Sequence, residues 1–233
     1  MAQQLTLDLP LRPAMGRDDF YVSNANAAAV AQIDDWEDWP SAKLVLCGPS
    51  GSGKTHLAHV WAAATGAQIV AALDITAQLE TLSEAPALVV EDADKICEDR
   101  SPQRGDREEG LFHLHNALAH RGAPLLITAK APPSRWGIGL PDLASRMAQA
   151  GLAKLDAPDD ALLMAVMMKR AVDRKLPLKP KMLTYAAPRL ERSFQAADAF
   201  IARVDALALS EKRKPTLAHV KAALAQQSYD PSS

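Results

Sequence analysis

Residues 43–57 read KLVLCGPSGSGKTHL. The apolar run KLVLC stops at GPSGSGKT, 48–55, and a helical pattern follows at once. The stretch satisfies G-x-x-x-x-G-K-[ST], with the preceding strand and following helix that a phosphate-binding loop requires. Gly48, Gly51 and Gly53, spaced by Pro49, Ser50 and Ser52, let the backbone turn its N–H groups inward. There the N-terminus of the next helix adds to an anion site. Lys54 is placed for the β- and γ-phosphates and Thr55 for Mg²⁺, with His56 next along the helix. The expected ligand is ADP or ATP with Mg²⁺.

Outward from this loop, from Lys43 to Leu155, short β-type runs alternate with helical stretches: KLVLC, HLAHVWAAA, QIVAAL, ALVVED, GLFHLHNALAH, PLLITA, LPDLASRM, LAKL. Such alternation predicts an α/β fold, a parallel sheet covered by helices. The strand candidates are almost continuously apolar, as strands buried on both faces are. ALVVED ends in Glu91 and Asp92, and a P-loop ATPase needs a carboxylate at the end of a neighbouring strand to hold Mg²⁺ and the attacking water. The residues alone leave open which carboxylate does which job.

The flanks read differently. Residues 1–12, MAQQLTLDLPLR, alternate leucine with polar residues and predict an extended tail. A short helix is expected over 26–36, with Ala29, Ile33 and Trp36 on one face. After Pro158 every patterned segment is helical, the first opening on aspartates at an N-cap. The expected organisation is a tail (1–12), a nucleotide-binding α/β domain (13–157) and a small all-helical lid domain (158–233). The polar segment EDRSPQRGDREEG, 98–110, reads as a solvated loop. Lys169 to Lys181 reads as a solvated helix and loop, and Met164, Met167 and Met168 as core.

Composition narrows the class. The chain has 233 residues, 48% hydrophobic and 23% charged, an ordinary globular balance that argues against disorder or fibre. A net charge of -2 is not that of a domain neutralising many phosphates by itself, so DNA is expected only indirectly, through a partner. Cys47 and Cys97 are the only cysteines, and no disulfide is expected. No signal peptide or membrane span is apparent, which predicts a cytoplasmic protein.

These motifs, in this order, resemble the AAA+ ATPases, and within them the DnaA/Hda branch of replication-initiation proteins. GPSGSGKTHL, LVVED, PLLITA with its proline-containing loop, LPDLASRM and the helical C-terminal part carry the resemblance over nearly the whole chain. It implies an AAA+ parallel sheet with a helical lid, the acidic motif at Glu91 and Asp92, and a sensor region at Thr128 to Lys130. It further implies an arginine finger at Arg146, a lid sensor arginine at Arg192, and adenine contacts near Tyr21 and Val22. Two positions depart from the family pattern. Glu91 stands where an aspartate usually binds magnesium, and Lys130 stands where the initiators often carry an acid, so efficient hydrolysis by the chain alone is not expected.

The resemblance also implies partners: the initiator DnaA, whose bound ATP would be hydrolysed with the help of Arg146, and the DNA polymerase sliding clamp. Gln4, Leu5, Leu7 and Leu9 in QLTLDL resemble a clamp-binding peptide. An edge strand packed on its own domain or on a second copy of the chain is the lesser alternative for the alternating leucines. A helicase-loader-like ATPase and a DnaA-recruiting adaptor are the competing readings. A DNA-binding initiator would append a helix-turn-helix domain beyond the lid, for which the residues after Lys212 are too few.

Overall fold

In a computed structural model of the chain, residues 21–226 are described. Gln4, Leu5, Leu7 and Leu9 lie outside them. Helix α1 (Ala27–Asp34) buries Ala29, Val30 and Ile33. It stops short of the expected end, and Trp36 instead opens a 3-10 turn from which its ring meets Trp61 edge-on at 6.5 Å. There follow β1 (Lys43–Cys47), α2 (Lys54–Thr65), β2 (Gln68–Ala71), α3 (Leu79–Ser83), β3 (Leu88–Glu91), α4 (Asp94–Glu98), α5 (Arg104–Arg121), β4 (Leu125–Ala129), α6 (Pro141–Gln149) and β5 (Gly151–Lys154).

The strands pair in parallel in the order β2-β3-β4-β1-β5, so each expected β-type run is a strand. Central β1 and β4 are buried at every residue, whereas edge strands β2 and β5 bury only Val70 and Ala153. Alternation along the strands fills two cores. Val45, Val90 and Ile127 pack with Leu111, Leu114 and Leu118 of α5. Leu44, Leu46, Val89 and Leu126 pack with Ile33, Leu57 and Trp61 on the other face. The chain leaves β1 toward one edge of the sheet and returns as β5 on β1's other side, which opens a crevice at the carboxyl end of β1.

The segment 98–110 corrects its reading as a loop, because α5 begins inside it at Arg104. Its charges conceal the helix. Arg104 pairs with Glu108 one turn later at 2.9 Å, and Glu108 is only 3% exposed. Asp99 accepts hydrogen bonds from Ser101 and Arg107 and so fixes the approach to the helix. A search for apolar periodicity passes over a carboxylate buried through such bonds.

The C-terminal part is helical: α7 (Asp160–Asp173), α8 (Pro180–Ala186), α9 (Phe194–Ser210) and α10 (Leu217–Ala225). These helices enclose a core of their own around Leu163, Met167, Leu183, Phe200 and Val204, with Met164 and Met168 at its margin. Polar caps set where two of them start. Asp159 Oδ1 accepts from Leu162 N at 2.7 Å, and Ser193 Oγ accepts from Ala196 N at 3.0 Å. Cys47 and Cys97 are free thiols. No helix among the described residues is long and apolar enough to cross a membrane.

Candidate nucleotide-binding site

The phosphate loop leaves the sheet from β1, an interior strand between β4 and β5. Gly48 N donates to Ala129 O at 3.2 Å, anchoring the start of the loop to the end of β4. Gly51 (φ 72°) and Gly53 (φ 96°) are left-handed, a conformation that strains an L side chain. Space forbids one as well. A Cβ on Gly51 would lie 2.4 Å from Ser193 Cβ, and one on Gly53 would lie 2.7 Å from the Phe194 ring. Gly53 is the N-cap of α2 and offers no side-chain cap, so the first N–H groups of that helix stay available to an anion.

Lys54 is 7% exposed. Its Nζ donates to Gly48 O at 2.8 Å and to Pro49 O at 2.9 Å. Burial lowers its pKa, and the nearby charges of Asp92 and Asp94 work against that shift. Pro49, Ser50 and Thr55 are exposed and His56 is half-buried. The Ser52 hydroxyl is buried without a hydrogen-bond partner.

Glu91 closes β3 beside this loop. Its Oε1 is buried without a partner, and its Oε2 lies 3.9 Å from His59 Nε2. Asp92 is left-handed, φ 56°, and strain at a non-glycine residue persists only where its surroundings hold it. Here Asp92 N donates to Thr128 Oγ1 at 3.0 Å, and the carboxylate accepts from Lys95 at 2.7 Å. Thr128, 1% exposed, thereby fixes the acidic turn. Lys130 sends its ammonium to Glu98 at 3.7 Å, both groups being well exposed.

Sequence reasoning missed Asp94. It is 5% exposed, its Oδ2 accepts from Lys130 N at 2.9 Å, and its Oδ1 is buried without a partner. The signal was present as a third carboxylate in EDAD, 91–94, but the apolar run draws attention only to the pair that ends it. Mg²⁺ is bound by one or two carboxylates together with phosphate oxygens. Glu91 Oε1 and Asp94 Oδ1 are buried carboxylate oxygens without a partner, the donor type such a cation would use, and Thr55 would add a hydroxyl from the loop.

Residues 21–26 and the C-terminal helices border the crevice. Tyr21 and Val22 are 40% and 58% exposed. Asn26 holds this segment by donating to Tyr21 O and accepting from Ser23 N, both at 2.8 Å, and Asp156 N donates to Ala25 O at 3.3 Å. Arg192 is bound at the crossing into the lid, donating to Pro158 O at 3.2 Å and pairing with Asp160 at 3.0 Å. The next two residues, which sequence reasoning did not single out, are the ones that touch the loop. Phe194 N donates to Gly51 O at 2.9 Å, and Ser193 and the Phe194 ring abut Gly51 and Gly53.

Arg146 lies elsewhere. It is an exposed residue in the last turn of α6 and forms no hydrogen bond or ion pair among the described residues. α6 leads down to the start of β5, the end of the sheet opposite the phosphate loop. Consistently, Arg146 is one of the charges felt by His115, whose pKa is lowered by burial first and then by Lys43 and Arg146. Glu108 sets the other end of α6. Its Oε2 accepts from Leu140 N at 2.7 Å, while Arg104 donates to Gly137 O at 2.6 Å.

No protein-family model matches the chain. Its fold is similar to that of domain III of the replication initiation protein DnaA from Thermotoga maritima, with a TM-score of 0.77 and 18% identity over 94% of this chain and 98% of that one. AMPPCP-bound DnaA from Aquifex aeolicus is similar with a TM-score of 0.67 and 15% identity, covering 84% of this chain and 68% of that one. The RuvB Holliday junction branch migration motor of Thermotoga maritima has a TM-score of 0.70 and 18% identity, covering 93% of this chain and 73% of that one. At such identities a likeness establishes architecture alone: the chain has the fold of DnaA domain III, a parallel sheet covered by helices.

Proposed function

We propose that this chain is an Hda-like regulatory inactivator of the initiator DnaA. It binds ADP or ATP, docks on the DNA polymerase sliding clamp through Gln4, Leu5, Leu7 and Leu9, and stimulates hydrolysis of DnaA-bound ATP through Arg146. Re-initiation of replication is thereby prevented. The observation that carries this reading is the position of Arg146. An exposed guanidinium without an ion pair among the described residues, at the far end of the sheet from its own phosphate loop, supports a role at the site of another chain rather than at its own. An arginine finger in trans stabilises charge developing on the transferred phosphoryl group, and such fingers contribute about 10³–10⁵ in rate.

Within the chain the loop N–H groups and Lys54 bind and orient the phosphates, and Tyr21 and Val22 border the base. Thr55 with Glu91 would hold Mg²⁺, which when bound neutralises phosphate charge. Asp92 is held at the turn by Thr128, facing the same crevice. Arg192 braces the crossing into the lid, so that the lid meets the loop through Ser193 and Phe194. With Glu91 at the magnesium position, the chain's own ATPase is weak.

The test measures hydrolysis of DnaA-bound ATP in the presence of clamp and DNA, with wild type and with Arg146→Ala. Stimulation by wild type and its loss in the variant, with ADP and clamp affinities unchanged, is the expected result. Equal stimulation by both proteins would make Arg146 a surface charge and refute the finger.

A further inference from the structure

The tip of the lid contains a trough that the nucleotide site does not use. It is built by two loops, 174–179 between α7 and α8 and 211–216 between α9 and α10. Both preceding helices end in the same way. Leu176 N donates to Ala171 O at 2.8 Å and Lys175 N to Val172 O at 2.8 Å, while Arg213 N donates to Ala208 O at 3.1 Å and Lys212 N to Leu209 O at 3.0 Å. These are Schellman endings, which need one left-handed residue, ordinarily glycine. Each uses lysine instead, Lys175 at φ 55° and Lys212 at φ 52°. A cation near a helix C-terminus is favoured by the dipole. That accounts for the charge but not for placing it, strained, at this position in both loops.

Two open hollows of about 320 and 600 Å³ share Pro177, Lys214 and Pro215 and form one trough. The trough is lined by Leu178, Met182 and Leu217 and, at its other end, by Leu209. Leu209 is 67% exposed and Leu217 43%, so apolar surface is presented to solvent rather than to the lid core. Lys179, Lys212 and Lys214 stand exposed around it and have no ion pair among the described residues. The neighbouring carboxylates are already engaged. Asp205 lies 3.6 Å from Arg174, and Glu211 pairs with Arg213 and with His219. A chain of net charge -2 therefore carries a cationic rim around an apolar floor at this one tip.

We propose that this trough docks a peptide segment of a partner protein that combines acidic residues with large apolar ones. Charge complementarity selects the acids, and the exposed leucines select the apolar side chains. A nucleic-acid backbone would use the lysines but has no use for the leucine and proline floor. Prolines at 177, 180 and 215 restrict the walls before any partner arrives, which lowers the ordering cost of binding. The site is separate from Arg146 and from the phosphate loop, so it stands or falls independently of the function proposed above.

The test begins with a random peptide library displayed on phage and selected on the immobilised full-length protein. Enriched sequences are then made synthetically, and their affinity is measured by fluorescence anisotropy against wild type, Lys179→Glu/Lys214→Glu and Leu217→Asp. Leu217 is the first, exposed residue of α10, where aspartate suits the helix dipole. Unchanged ADP affinity confirms that each variant is folded. The expected result is enrichment of peptides rich in Asp or Glu with Leu, Phe or Trp, bound about tenfold more weakly by either variant and more weakly at high salt. Failure to enrich such peptides, or equal affinity for the variants, overturns the proposal. Binding of a short duplex DNA that needs the lysines but not Leu217 would reassign the tip to phosphate contact. Concentration-dependent dimers in sedimentation velocity that both variants abolish would make it an interface between copies of this chain.

Discussion

Replacing Glu108 by alanine should be among the most damaging single changes in the α/β part of the molecule, and it should also disturb the start of α6, on which Arg146 depends. The Glu108 carboxylate is 3% exposed. It accepts from Arg104 Nε at 2.9 Å and from Leu140 N at 2.7 Å, and the Gly139 N–H also bonds to it. Burial raises its pKa, but the bonds from Arg104, Leu140 and Gly139 and the guanidinium charge outweigh burial, leaving the pKa below the ordinary carboxylate value. In Glu108→Ala, Arg104 keeps its bonds to Cys97 O and Gly137 O and is one-third exposed, so solvent can absorb much of its loss. Leu140 N, on a half-buried residue, loses its acceptor, while Gly139 is exposed and its N–H can turn to solvent. At roughly 1–3 kcal/mol for the orphaned Leu140 donor, with the lost packing of the buried side chain added, the change should cost about 2–4 kcal/mol. That corresponds to roughly 10 °C in the thermal midpoint for a chain of this size. Glu108→Gln, which retains an acceptor, should lose about half as much.

The assay is thermal unfolding followed by tryptophan fluorescence across pH, with DnaA-bound ATP hydrolysis measured in parallel at a temperature where the variant is folded. A carboxyl whose folded pKa lies below its unfolded value of about 4.3 adds stability above that value and loses it as the pH falls toward the folded pKa. Wild type and Glu108→Ala should therefore converge in acid. A midpoint within about 2 °C of wild type at pH 7 would show that the loop at 137–140 does not depend on this carboxylate. Full stimulation by a stably folded Glu108→Ala would show that Arg146 does not depend on it either.

Lys54→Ala should weaken ADP binding strongly in calorimetry by removing the point charge at the phosphates while leaving the loop backbone intact, and unchanged affinity would remove the phosphate-loop assignment. Gly51→Ala adds a Cβ 2.4 Å from Ser193 Cβ at a φ of 72°, so it should cost at least about 1–2 kcal/mol of left-handed strain and increase hydrogen exchange at the start of α9; unaltered exchange would show that the lid does not rest on the loop. Lys43, fully buried with Nζ donating to Ala123 O at 3.0 Å, has its pKa lowered to about 8 by burial. The unfolded chain therefore binds more protons between pH 8 and about 10.4, and wild type should gain stability relative to Lys43→Met as the pH rises through that window; a constant difference in thermal midpoint would place the ammonium in solvent. Leu5→Ala with Leu7→Ala should abolish binding to immobilised clamp without altering ADP affinity, and persistence of clamp binding would remove the tether.

The features legible in the sequence are those whose cause lies within a few residues. Continuous apolar runs identify β1, β3 and β4 because a central parallel strand is buried on both faces, and GPSGSGKT identifies the loop because two left-handed glycines and a helix start must be adjacent in the chain. Asp159 announces the start of α7 through a bond to the N–H three positions on. The tertiary structure alone decides which distant residues meet. It brings Ser193 and Phe194 onto Gly51 and Gly53, ties Arg192 to Pro158 and Asp160, and sets Glu108 under Leu140 and Asp94 under Lys130. None of these contacts has a period or a local motif. Each is a polar or aromatic group whose place follows from strand order and helix packing, so the same residue types written in the same sequence reveal their role only when the sheet has put the segments side by side.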